Sequence, residues 1–310
     1  MGRGSPQGAG RSVDRRLKIG IVLNLLFALA ELIAGLASGS LALVGDAWHN
    51  FSDVIGLTFS WVALRQVERP ATGRKTFGYH RATILAALGN GIALVGITLW
   101  LFYEAIQRLG HPEPPQAEVM MAVAGIGFMI NFAVAVSLKR ATRDVNIRSA
   151  YLHLMGDALV SLGVVVAGIV ILLTGWSPID ALLSLVIGGL ILIGAWGMVA
   201  ETLNVLMEGV PRGVDVDRVL RAVRSFPEVE DAHDLHVWSL SSHLYALSCH
   251  LQVADLPVSE GAELLDRIGQ MLKERFGIAH TTIQLEAKAC PPQEACALSA
   301  KGQTTSPDDR

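Results

Sequence analysis

The stretch AYLHLMGDALVSLGVVVAGIVILLT, Ala150–Thr174, decides the fold. It exceeds the roughly 20 helical residues that cross a bilayer core, and it is apolar almost throughout apart from His153 and Asp157 near its start. Five further windows have the same texture, at about 17–37, 41–64, 82–109, 119–138 and 179–207. A lipid-exposed backbone must satisfy its own hydrogen bonds, so helix is the expected state, and strand alternation is not seen. Composition agrees: of 310 residues, 51% are hydrophobic and 17% charged, against about 25% charged in an average soluble domain. The mean hydropathy is +0.44. These values exclude a disordered or nucleic-acid-coating chain and argue against a purely soluble enzyme. A net charge of −3 gives no sign of a nucleic-acid partner; the lipid bilayer is the expected environment.

Six spans put both termini on one side, and the basic residues say which. Arg3, Arg11, Arg15, Arg16 and Lys18 precede the first span. Arg65, Arg69, Arg74, Lys75 and Arg81 lie between the second and third, and Lys139, Arg140, Arg143 and Arg148 between the fourth and fifth. The alternate loops hold one basic residue, Arg108. By the positive-inside rule both termini are cytoplasmic. The first window is too long for a cleavable signal and lacks a clean processing site, so it stays in the membrane. The short loops favour a bacterial inner membrane.

After Gly209-Val210-Pro211 the texture becomes that of a small soluble domain. An amphipathic helix at 214–226, strands at 229–240 and 245–253, a helix at 260–276 and a strand at 281–287 predict an αββαβ, ferredoxin-like α+β fold on an antiparallel sheet. The expected organisation is a disordered N-terminus at 1–13, a six-helix transmembrane domain at 14–208, a cytoplasmic domain at 209–288 and a disordered tail at 289–310. Cys249, Cys290 and Cys296 form no dense disulfide framework. Cys249 reads as core, and the tail pair as reduced thiols or as additions to a neighbouring site.

Ionisable groups inside spans cost about 2.5–3.5 kcal/mol each on insertion scales, so each needs a reason. The second window carries Asp46, His49 and Asp53, the fifth His153 and Asp157. His49 to Asp53 and His153 to Asp157 are both i, i+4, so each helix offers an imidazole and a carboxylate on one face. The bland account is a pair of structural hydrogen bonds. The repeat of spacing and order favours a metal site instead, because two such faces together give two nitrogen and two oxygen ligands for tetrahedral zinc. With neutral imidazoles the set carries about −2, which a divalent cation cancels in a medium where net charge is costly. Metal release and proton uptake are therefore linked.

The stretches Ser40-Leu-Ala-Leu-Val-Gly-Asp46-Ala-Trp-His49-Asn-Phe-Ser-Asp53, Thr76-Phe-Gly-Tyr-His-Arg81 and Ala150-Tyr-Leu-His153-Leu-Met-Gly-Asp157-Ala-Leu resemble the cation diffusion facilitator family, in its zinc-transporting branch. Glu208-Gly-Val-Pro211 and His233-Asp-Leu-His-Val-Trp238 extend the likeness into the soluble domain. The resemblance implies a homodimeric metal/proton antiporter with His49, Asp53, His153 and Asp157 as transport ligands near the membrane midplane. It places Asp46 beside the quartet as a supporting or helix-end group, and Arg81 with Glu208 as a charge pair, for which an ordinary juxtamembrane arginine is the alternative. It puts His233 and His250 at cytoplasmic metal positions with Glu286 as carboxylate, while Gln284 replaces a histidine of some relatives. The loop with Thr72, Lys75, Tyr79 and His80 lacks the aspartate and histidines that bind metal in some bacterial relatives, so no site is expected there.

The leading function is secondary export of zinc from the cytoplasm in exchange for protons, with zinc as substrate and as a regulatory ligand, and no cofactor. Two histidines in the quartet favour zinc over harder cations, with cadmium, cobalt and nickel as alternatives. An intramembrane metalloenzyme and a metal sensor are the competing classes. The first lacks a His-Glu-x-x-His helix and an open coordination position; the second needs no transport.

Overall fold

A computed structural model describes residues 6–66, 72–139, 145–241 and 244–287 of the 310. Six long helices come first: α1 (Pro6–Ser38), α2 (Leu41–Gln66), α3 (His80–Gly110), α4 (Ala117–Leu138), α5 (Val145–Thr174) and α6 (Pro178–Leu206). Five contain stretches long and apolar enough to cross a membrane: Gly20–Ser38, His80–Gly110, Ala117–Leu138, Ala150–Thr174 and Pro178–Leu206. Helix α2 is long enough but is not among them, and it is the helix that carries Asp46, His49 and Asp53. Helix α1 starts at Pro6, inside the segment expected to lack structure. Proline suits a first helical turn because its missing N–H has no partner there.

The chain forms two compact units, Met1–Pro70 with Leu85–Ala200, and Ala71–Ile84 with Glu201–Arg310. The second therefore includes most of the α2–α3 connection and the first residues of α3 as well as the C-terminal domain. In the first unit α1 and α2 make an antiparallel hairpin. Helix α1 stops at Ser38, Gly39 takes a left-handed φ of 75°, and Ser40 opens α2 by accepting the Leu43 N–H at 3.2 Å. Helix α5 packs along α4 and also against α2.

Close approach of the helices depends on particular glycines. A Cβ at Gly35 would meet Val44 at 2.9 Å, one at Gly188 would strike Phe102, and one at Gly163 has ordinary contact with Leu183. Gly89, Gly96, Gly125 and Gly189 face open space. Further tight crossings are Gly91 on Val199, Gly127 on Phe27 and Gly168 on Met121. A lone glycine in an apolar helix does not reveal which face it occupies.

The C-terminal domain runs α7 (Val216–Arg224), β1 (Val229–Ser241), β2 (Leu244–Val253), α8 (Val258–Phe276) and β3 (Ile278–Glu286), the expected αββαβ order. Asp215 caps α7 by accepting the Arg218 N–H at 3.1 Å, and Gly277, at φ 70°, ends α8. Val219 and Val223 of α7 and Leu264, Ile268 and Leu272 of α8 join Leu247, Leu251 and Val253 of β2 in one buried core. The sheet departs from the expected antiparallel arrangement. Strand β2 pairs antiparallel with β1 but parallel with β3, because α8 is a helical crossover that returns the chain to start β3 in the direction of β2. The Ser242–His243 turn and the tail with Cys290 and Cys296 lie outside the described residues.

Candidate metal site

Helices α2 and α5 meet along three antiparallel rungs. The Ser161 hydroxyl donates to Asp46 Oδ2 at 3.2 Å, His49 Nε2 stands 3.4 Å from Asp157 Oδ1, and His153 Nε2 stands 3.1 Å from Asp53 Oδ2. Residues three or four apart share a helix face, so 46, 49 and 53 ascending meet 161, 157 and 153 descending. The within-helix pairs are looser, 4.0 Å from His49 Nε2 to Asp53 Oδ2 and 3.6 Å from His153 Nε2 to Asp157 Oδ2. Ligand atoms of His49, His153 and Asp157 lie within 4.8 Å of one another, and Asp53 joins them through His153. Metal bonds of about 2.0–2.1 Å give a tetrahedral edge of about 3.3 Å, a value inside the 3.1–4.0 Å spread of these contacts. Each imidazole thus stands 3.1–4.0 Å from both carboxylates, and His49, His153 and Asp157 form a group that could hold a metal ion.

Polar contacts from other helices fix α2 around this point. Asn90 Nδ2 of α3 donates to Ser52 Oγ at 2.8 Å, next to Asp53. Asp180 of α6 accepts from Ser40 Oγ at 2.6 Å and from the backbone N–H of Leu41 at 2.8 Å and Ala42 at 3.4 Å, so it caps α2 from another helix. Arg108 of α3 donates to the Gly39 carbonyl in the same turn. Asn50 Nδ2 donates to Glu31 Oε2 of α1 at 2.6 Å. The sequence argument missed Glu31 and Asp180. Glu31 stands alone among apolar residues of α1, and Asp180 sits at the edge of a window, so neither shows a spacing signal. Both are buried, 0% and 2% exposed.

The C-terminal domain gathers a second group. His233 on β1 and His250 on β2 are cross-strand partners with ring centroids 5.5 Å apart. Glu286, at the end of β3, places Oε1 2.9 Å from His250 Nδ1 and Oε2 3.4 Å from His233 Nε2. Their ligand atoms form a three-residue cluster. His233 Nε2 and Glu286 Oε2 are buried without a hydrogen-bond partner, and buried polar atoms of this kind usually have one. A cation between them satisfies both, so the donor set fits a metal. Gln284 donates to Glu286 Oε1 at 2.9 Å and orients the carboxylate rather than adding a ligand. A bulge between His233 and His236, with Asp234 at a left-handed φ of 49°, puts Asp234 Oδ2 3.9 Å from His250 Nε2.

Arg81 Nη2 and Glu208 Oε1 meet at 2.9 Å, and both belong to the second unit. In the same unit Phe77 of the α2–α3 connection stands edge-on to His280 of β3, centroids 5.6 Å apart. Cys249 is buried on β2, and its apolar surroundings push the thiol pKa up to about 12.

Five membrane-length helices joined to a small α/β domain define an integral membrane protein, and its α2–α5 His/Asp cluster could hold a metal ion. Residues 17–207 match the model of the cation efflux transmembrane domain, and residues 211–288 that of the cation efflux protein cytoplasmic domain. The chain belongs to this family of cation efflux transporters, the cation diffusion facilitators. It is 38% identical over 293 residues to the cadmium, cobalt and zinc/H(+)-K(+) antiporter of Bacillus subtilis (strain 168), covering 93% of each chain. It is 38% identical over 279 residues to the zinc transporter ZitB of Escherichia coli (strain K12), covering 89% of this chain and 88% of that one. A solved structure of the metal-bound C-terminal domain of the CzcD transporter aligns at 38% identity over 24% of this chain and 99% of that one, with a TM-score of 0.22.

Proposed function

We propose that this transporter exports zinc from the cytoplasm in exchange for protons, with His49, Asp53, His153 and Asp157 as the transport ligands. The observation that carries the reading is the antiparallel α2–α5 ladder, which sets each of the two imidazoles 3.1–4.0 Å from both carboxylates. The cluster is close to neutral only with a divalent ion bound or with protons added, so each ion released is replaced by protons and the two flows are coupled. Helix α2 is the sixth crossing, and its polar residues face other helices rather than lipid. Both termini lie in the cytoplasm, in a bacterial inner membrane, and the protein works as a homodimer. Asp46 supports the quartet through Ser161 and the turn it shares with His49.

Mixed imidazole and carboxylate ligation suits zinc best. The Bacillus relative, named for cadmium, cobalt and zinc, supports a wider range with those two metals as further substrates. The cluster of His233, His250 and Glu286 is a regulatory metal site: all three residues lie in the second unit, whereas the quartet belongs to the first. Purified protein in liposomes with an imposed proton gradient tests the function. Zinc and proton fluxes in opposite directions are expected, with cadmium and cobalt as comparison substrates and potassium varied separately. Asp157→Ala abolishes flux while helical content and assembly stay unchanged. Wild-type protein that moves neither ion, or undiminished flux in the variant, sinks the transport or the site assignment respectively.

A further inference from the structure

We propose that Glu31, paired with Asp46, is a proton-holding site buried in the membrane unit and separate from the four metal ligands. Its role in exchange rests on the transporter reading above; its existence does not.

Glu31 lies in the membrane-length part of α1 and is fully buried, with 0% exposure. Asn50 Nδ2 satisfies Oε2 at 2.6 Å, but Oε1 has no donor. The other group within hydrogen-bonding reach is the carboxyl of Asp46, itself 1% exposed, whose Oδ2 accepts from Ser161. Among the described residues no Lys or Arg is paired with either acid. Two facing carboxylates without a cation repel strongly where the dielectric is low. A protonated carboxyl supplies an O–H donor, and one shared proton turns that repulsion into a hydrogen bond and gives Oε1 its missing partner. The pair then carries a single negative charge.

The charged groups facing the pair come from two helices. Helix α2 brings Asp46 and, one turn on, His49; α5 brings Asp157 one turn from Ser161. Helix α4, the other helix packed on α1, approaches through Gly127 against Phe27, and its one acid, Glu118, lies in its first turn. Asn50, the neighbour of His49 in sequence, is the direct link from Glu31 to α2. A proton on this pair is thus carried beside the quartet without occupying a metal ligand, and its charge is felt one helical turn away.

Infrared spectroscopy of the full-length protein in liposomes, loaded with zinc at neutral pH, tests this. Zinc keeps the quartet carboxylates ionised, so a protonated-carboxyl carbonyl band that shifts in deuterium oxide is expected from the pair. The band disappears in Glu31→Gln and is lost or displaced in Asp46→Asn. Glu31→Gln lowers zinc affinity by no more than about 10–100-fold, the range for a group outside the ligand set. Absence of the band in wild-type protein overturns the proposal, as does a band unchanged in both variants. Loss of the wild-type band on adding potassium or sodium also overturns it, because the pair then holds an alkali cation. Should neither variant fold, carbon-13 glutamate labelling of the wild type decides, since a band that does not shift is not from Glu31. Flux measured on the same liposomes separates the two readings: a band without zinc transport leaves the pair standing and removes the transporter.

Discussion

Replacing Asp180 by alanine should loosen the start of α2 and, through it, the metal site. Asp180 accepts from Ser40 Oγ at 2.6 Å and from Leu41 N at 2.8 Å, with a weaker approach from Ala42 N at 3.4 Å. Alanine leaves two good buried donors without an acceptor, at about 1–3 kcal/mol each. The Leu43 N–H keeps Ser40 Oγ at 3.2 Å, so the helix retains its own cap and the loss falls at the lower end, about 3 kcal/mol. At 1.4 kcal/mol per factor of ten, that is about 100-fold faster amide exchange in the first turn of α2. Hydrogen exchange read by mass spectrometry on a peptide spanning 38–45 measures it. Asp180→Asn keeps an acceptor oxygen and should give about tenfold. Because His49 lies two turns along the same helix, zinc affinity should fall in the same order, Asn before Ala. Unchanged exchange in this peptide, or an increase spread evenly over all helices, refutes the capping argument.

Cys249 should resist alkylation in the folded protein at pH 8, because burial pushes its pKa up to about 12, and label at once after denaturation. The sign follows from linkage: the unfolded thiol ionises near pH 9 while the folded one stays neutral. Stability contributed by the domain therefore falls as pH rises from about 9 towards 12, with no effect below. Peptide-level mass spectrometry and alkaline denaturation check the two halves, and rapid native labelling of Cys249 contradicts both. Glu286→Gln removes one of the three clustered ligand groups of the C-terminal domain. It should lower the zinc bound at equilibrium by about one equivalent per chain while leaving the membrane quartet loaded. Unaltered stoichiometry by calorimetry rejects a metal at that cluster.

The paired His-x-x-x-Asp segments were legible because helical periodicity alone puts each pair on one face, and antiparallel packing of α2 on α5 then makes the ladder. Asp46 was legible as a neighbour of the quartet but not in its contacts, since Ser161 and Glu31 reach it from other helices. Glu31 and Asp180 went unread for the same physical reason: each acts on α2 from a different helix, and sequence spacing reports only residues on the same element. The parallel placement of β3 was missed because strand patterning gives which face is buried, not which way the strand runs. Glycine crossings are illegible for a like reason, since the partner that makes a glycine necessary, such as Phe102 for Gly188, is distant in sequence.

These misses converge on one helix. Helix α2 is the long helix without enough apolar character to qualify as a membrane span, and it receives polar contacts from four others. They are Glu31 of α1, Asn90 of α3, His153, Asp157 and Ser161 of α5, and Asp180 of α6. A span with two aspartates and a histidine at insertion costs of about 2.5–3.5 kcal/mol each is not viable alone in lipid. It becomes viable inside a bundle where those groups face hydrogen-bonding partners instead of hydrocarbon. The polarity that makes α2 a poor solitary span is therefore the same property that lets it carry His49 and Asp53 of the candidate site. Its position depends on α1, α3, α5 and α6 together, so any shift of α2 relative to α5 must be felt at Glu31 and at Asp180 as well as at His49 and Asp53.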